Sequence, residues 1–117
     1  MTQQQTIQFE NAFAEVFSFD NGTDVCEHHA MIHVNSARLP YMKQLDAILN
    51  AYNQLLDVQL KGARAVFKRY FLSDSANQAD DVILSDVTDC AKSIIQQAPL
   101  DGTKIALWVY LMTNVQT

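Results

Sequence analysis

The stretch RLPYMKQLDAILNAYNQLLDVQ, Arg38 to Gln59, decides the fold. Its apolar residues Leu45, Ile48, Leu49, Tyr52, Leu55 and Leu56 recur at helical spacing, while Lys43, Gln44, Asn50, Asn53 and Asp57 fall elsewhere around the turn. A stripe of that width has to be buried, so the run is an amphipathic helix lying on a core. Pro40 suits its first turn because its fixed φ is already helical, and Gly62 ends the connection that follows.

Outside the helix the pattern changes from period 3.6 to period two. Phe13, Phe17 and Phe19 occupy odd positions with Glu15 among them, which predicts a strand with one partly buried face between Phe9 and Phe19. Asp20-Asn21-Gly22 then tolerates the positive φ of a tight hairpin and returns the chain into a second strand, Val25 to Val34. Beyond the helix, Ala63 to Leu72 and Lys104 to Met112 are dense in β-formers and read as central strands. Asn77 to Asp89 reads as a short helix after a Ser/Asp cap, and Ser93 to Gln97 as a further strand before Pro99. Asp101-Gly102 turns the chain into the last strand. The expected order is β-β-α-β-(α)-β-β, an α/β (α+β) domain with an antiparallel-type sheet and helices packed on one face.

With 117 residues, 49% of them hydrophobic, there is material for one core, and three Gly and two Pro leave no internal linker. The polar start is expected to fray over residues 1–8, leaving 9–117 as a single domain, either on its own or as one module of a longer polypeptide. A net charge of -5 opposes a phosphate backbone, and the one basic cluster, Lys61, Arg64, Lys68 and Arg69, divides between two faces of a strand. Nucleic acid is therefore not an expected partner. No apolar run approaches the roughly 20 residues of a membrane-spanning helix. Cys26 and Cys90 stand apart without a CxxC, and no secretory leader is seen, so a cytoplasmic, reduced chain is expected.

Several groups of residues invite a chemical reading. A strand puts Glu27, His29 and His33 on one face and His28 on the other. His29 and His33 would then stand about 13 Å apart, too far to share a metal ion, so no metal site is expected. Cys26 shares a face with His28, but a lone strand cysteine reads first as packing. Lys68, Arg69 and Tyr70 either combine donors suited to a carboxylate or belong to a strand whose charged residues reach the edge of the sheet. Asp80, Asp81, Asp86 and Asp89 read as a solvated acidic face, since the ligand spacing of a calcium loop is missing. No Gly-rich phosphate loop or other cofactor motif occurs, and no cofactor is expected.

The order of elements, with Ala63-Arg64-Ala65-Val66-Phe67-Lys68-Arg69-Tyr70-Phe71-Leu72-Ser73-Asp74 and then Ala91-Lys92-Ser93-Ile94-Ile95-Gln96-Gln97-Ala98-Pro99-Leu100, resembles the Rid family of reactive-intermediate deaminases, the YjgF or endoribonuclease L-PSP group. The resemblance spans Phe13 to Leu111. It implies a chorismate-mutase-like mixed sheet, a homotrimer, and clefts between subunits where a small metabolite is held. The family carries Ala-Arg-Ser where this chain has Ala91-Lys92-Ser93, and a last-strand glutamate that the stretch 104–109 lacks. The resemblance implies a domain that binds a small anionic or planar metabolite through Lys92 and Ser93, with Arg69 and Trp108 nearby. The alternatives are a hydrolase that deaminates imines or enamines with Lys92 in place of the arginine, and a structural or assembly domain without a ligand.

Overall fold

The computed structural model describes residues 2–20 and 25–114. The elements run β1 (Thr2–Phe9), β2 (Ala12–Asp20), β3 (Val25–Val34), α1 (Tyr41–Gln54), β4 (Arg64–Leu72), α2 (Ser75–Ser85), β5 (Ala91–Gln96) and β6 (Ile105–Asn114). The last turn of the first helix widens into a π-helical turn, Leu55–Gln59. Six strands form one mixed sheet in the order β1-β2-β3-β6-β4-β5. Every pairing is antiparallel except β4 with β5, which α2 joins as a crossover because parallel neighbours cannot be linked by a tight hairpin.

Two expectations change at the start of the chain. The polar beginning does not fray from Thr2 on: it is an edge strand, paired with β2 from Thr2↔Phe19 to Phe9↔Ala12. Phe9 and Phe19 consequently belong to different strands. The turn between them is Glu10-Asn11, with Asn11 in the left-handed region at φ 64°. Asparagine tolerates that conformation without a glycine to announce it. The Asn21-Gly22 turn lies outside the described residues, but the strands it was expected to join do pair, up to Asp20↔Cys26.

The core lies on one face of the sheet. Ala12, Ala14 and Val16 of β2, Ala30, Ile32 and Val34 of β3, and Leu107, Val109 and Leu111 of β6 are buried there against Leu45, Ile48, Ala51, Tyr52 and Leu55 of the first helix. The aromatics of β2 are therefore on the other face, and small residues form the floor on which α1 lies. Gln44, expected among the polar positions, is buried: its amide donates to the Leu39 carbonyl at 2.7 Å and its oxygen accepts from the Lys104 N–H at 2.8 Å. It fastens α1 to the start of β6. A β-bulge between Ala65 and Phe67 shifts the parity of β4, so that Ala65, Lys68, Tyr70 and Leu72 all face the core although they do not alternate evenly.

Candidate functional site

The sheet's second face carries no helix among the described residues, and its side chains form a grid fixed by strand register. One row reads Phe13, His33, Ala106, Phe71, Ile95. The next reads Glu15, Met31, Trp108, Arg69, Ser93, and the third Phe17, His29, Tyr110, Phe67, Ala91. In the first row a single methyl group, that of Ala106, stands between His33 and Phe71. The missing side-chain volume opens a cleft of about 290 Å³ with Met31, His33, Phe71 and Ala106 along the sheet and the segment 97–101 as its other wall. Its lining is mostly apolar.

Aromatic and cationic groups occupy the sheet rows next to this cleft. One pleat beyond Phe71, the Arg69 guanidinium lies 5.4 Å from the Phe67 ring centre and 5.9 Å from that of Trp108. Among the described residues no carboxylate comes within ion-pair distance of it. Trp108 in turn stacks on His29 at 5.7 Å, and His29 meets Tyr110 at 4.9 Å. The Tyr110 hydroxyl hydrogen-bonds Glu27. On the far side, His33 stacks on Phe13 at 4.9 Å and pairs through Nε2 with Glu15 Oε1 at 3.2 Å. Glu27, His29 and His33 do share a face, and each is engaged with a neighbour in this surface.

The other face hides a second polar cluster, beneath α1 and the segment after α2. Lys68, 0% exposed, donates to Asp86 Oδ2 at 2.8 Å and to Thr88 Oγ1 at 2.9 Å, and its Nζ sits 3.6 Å from the centre of the Tyr52 ring. Tyr70 donates to the same Asp86 oxygen, and the Thr88 N–H donates to Oδ1 at 3.0 Å. Burial alone would push the Asp86 carboxyl up, but the hydrogen bonds from Lys68, Tyr70 and Thr88 outweigh it and hold the group at about 2. Burial pushes Lys68 below the ordinary lysine value, with Asp86 opposing the change. Burial likewise raises Tyr52 to about 12.

Asp86 is thus no part of a solvated acidic face. Being buried, it needs partners, and it finds all of them inside the chain. Lys68 and Tyr70, read from sequence as donors for an anionic ligand, direct their donors to this internal carboxylate. The sequence signal that could have found the cluster is Lys68 itself, a charge in an otherwise apolar strand whose parity the bulge conceals.

The four residues picked from sequence divide between the two faces. Arg69, Ser93 and Trp108 lie side by side in one row of the uncovered face, through the register pairs Arg69↔Ser93 and Arg69↔Trp108. Lys92 is on the opposite face beside Lys68, where its Nζ donates to the Asp86 carbonyl at 3.0 Å and lies 4.0 Å from Oδ1. Sequence reasoning did not find Ala106, Met31 and Phe71, because a cleft made by a small residue between large ones depends on register. The Cys26 thiol is not the partner of His28. His28 is nearly buried with Nδ1 2.7 Å from Ser18 Oγ and Nε2 2.9 Å from Thr113 Oγ1, and burial first, then neighbouring His29, lowers its pKa below the usual imidazole value. No helix among the described residues is long and apolar enough to cross a membrane.

No protein-family profile, curated protein or solved structure matches this chain.

Proposed function

We propose that the chain is a Rid-like domain that binds a small planar carboxylate in the Ala106 cleft, with the apolar body between Phe71 and Met31 and the acid group on Arg69. The observation that carries this reading is the Arg69 guanidinium, held over two aromatic rings in the register row next to an apolar cleft, with no carboxylate among the described residues within ion-pair distance of it. An arginine forks two parallel hydrogen bonds to a carboxylate, and aromatic rings beneath fix its plane. Ser93 stands next to it in the register and adds a hydroxyl. Lys92, tied to Asp86 on the other face, organises the segment after α2 and is not the anion's anchor in this reading.

The uncovered face also supports assembly. Phe13, Phe17, Phe19, Phe67, Phe71, Trp108 and Tyr110 all belong to it, with Phe17 and Phe19 more than one-third exposed. Aromatic area of that extent on a sheet marks an interface. A homotrimer that covers this face would complete each cleft with a neighbouring subunit.

Trp108 is the only tryptophan in the sequence and pairs in register with Met31 of the cleft wall, so its fluorescence reports on the sheet beside the cleft. Titration with phenylacetate should quench it saturably, and Arg69→Gln should weaken binding at least about tenfold, equivalent to roughly 1.4 kcal/mol. Quenching that does not saturate, or that is unchanged in Arg69→Gln, overturns the reading.

A further inference from the structure

His33 and Glu15 occupy neighbouring positions on this face, His33 as a wall of the cleft and Glu15 one strand over and one pleat along. Their contact, Nε2 to Oε1 at 3.2 Å, selects the imidazole tautomer that donates from Nε2 and leaves Nδ1 as the ring's basic nitrogen. Stacking on Phe13 fixes the ring plane. A base oriented by an acid, bordering an apolar cleft that has a guanidinium one pleat from its wall, is an arrangement for moving a proton on a bound carboxylic acid.

We propose that the His33–Glu15 pair is a proton-transfer dyad acting on aryl-substituted 2-oxo acids, and that the cleft interconverts their keto and enol forms. The inference rests on the binding reading above and gives it a substrate class. With the carboxylate on Arg69 and the aryl ring against Phe71, the acidic C3–H bond lies between the two ends of the cleft. His33 takes the C3 proton, and the C–H electron pair becomes the C2–C3 double bond. The C2 carbonyl π pair moves to oxygen, which takes a proton from water. The resulting hydroxide accepts the proton from the imidazolium, so the net change is an isomerisation with no oxidant and no leaving group. His33 is the catalytic residue in this scheme and Glu15 a positioning residue.

Phenylpyruvate in D2O makes the step visible, because each enolisation exchanges a C3 proton for deuterium, which removes signal from the proton NMR spectrum. The wild-type chain should accelerate exchange at least about tenfold over matched buffer. His33→Asn should return it to the buffer rate while the Trp108 titration with the same acid remains saturable. Glu15→Gln, which preserves size, should lower the saturated exchange rate several-fold with little change in the half-saturating concentration, a split that a merely structural role would not give. Binding without acceleration in the wild type overturns the dyad and leaves the binding site standing. Absence of both overturns the dyad together with the site. Acceleration that survives in a folded His33→Asn also overturns the dyad.

Discussion

Asp86 shows most clearly how single residues hold this molecule. It terminates α2, accepts from Lys68 and Tyr70 on β4 and from the Thr88 N–H, and stands within 4.0 Å of Lys92 on β5. Removing one partner of such a buried pair leaves the other charge uncompensated, at a cost of about 3–5 kcal/mol. Asp86→Asn should therefore lose stability of that order in urea unfolding, and adding Lys68→Met to it should recover part of the loss. The pH dependence follows from the same group. Its carboxyl falls from the ordinary 3.8 to about 2 on folding, so its contribution is fully present above about pH 4 and is lost as pH drops through 2. The amount is about 2 kcal/mol, because each tenfold gain in a carboxyl's acidity on folding contributes roughly 1.4 kcal/mol. Unfolding curves recorded between pH 5 and pH 2 should show that slope in the wild type and lack it in Asp86→Asn.

At the scale of elements, β4 depends on the bulge between Ala65 and Phe67. Side chains alternate across a sheet, so a one-residue slip exchanges the faces of everything beyond it. Deleting Val66, however, removes only the extra residue: Ala65 and Phe67 would pair with Leu111 and Tyr110 as consecutive residues, and every side chain of β4 should keep its present face. Circular dichroism and thermal unfolding should then show a folded chain with β4 in its present register, and Val66→Thr, which keeps the bulge, should stay within about 1 kcal/mol of the wild type.

The bulge also shows where a sequence is readable. The α1 stripe, the β2–β3 pairing and the central positions of β4 and β6 follow from periodicity, because each element buries a face whose spacing its own residues carry. The edge strand β1 does not, since TQQQTIQF is mostly polar and is held by its pairing with β2. Arg69, Ser93 and Trp108 were legible as candidates, and register brings them together. Lys92 was legible as a cation but not as a residue of the other face, since two neighbours on one strand point oppositely. The Ala106 cleft depends on which residues of four strands share a row, and no stretch of one strand contains that information.

For the whole molecule, the uneven covering of the sheet is the main fact: helices lie against one face, and the other exposes a field of aromatic rings with Arg69, His29 and His33 set in it. Such a surface on an isolated chain invites association. The trimer reading predicts a sedimentation mass three times that of the monomer at micromolar concentration. Phe17→Asp, on β2 of the uncovered face, should shift the population toward monomer without loss of helix signal. A wild-type chain that sediments as a monomer across the accessible concentration range would contradict assembly through this face.

Which face of the sheet receives a ligand decides the functional reading, and NMR answers it residue by residue. Backbone and indole resonances should be followed as phenylacetate is added. Saturable shifts are expected at the Trp108 indole, Arg69, Phe71, Ala106 and the segment 97–101, with Lys68, Thr88 and Lys92 unmoved. Shifts centred on Lys68, Thr88 and Lys92, or none that saturate, would contradict binding in the Ala106 cleft.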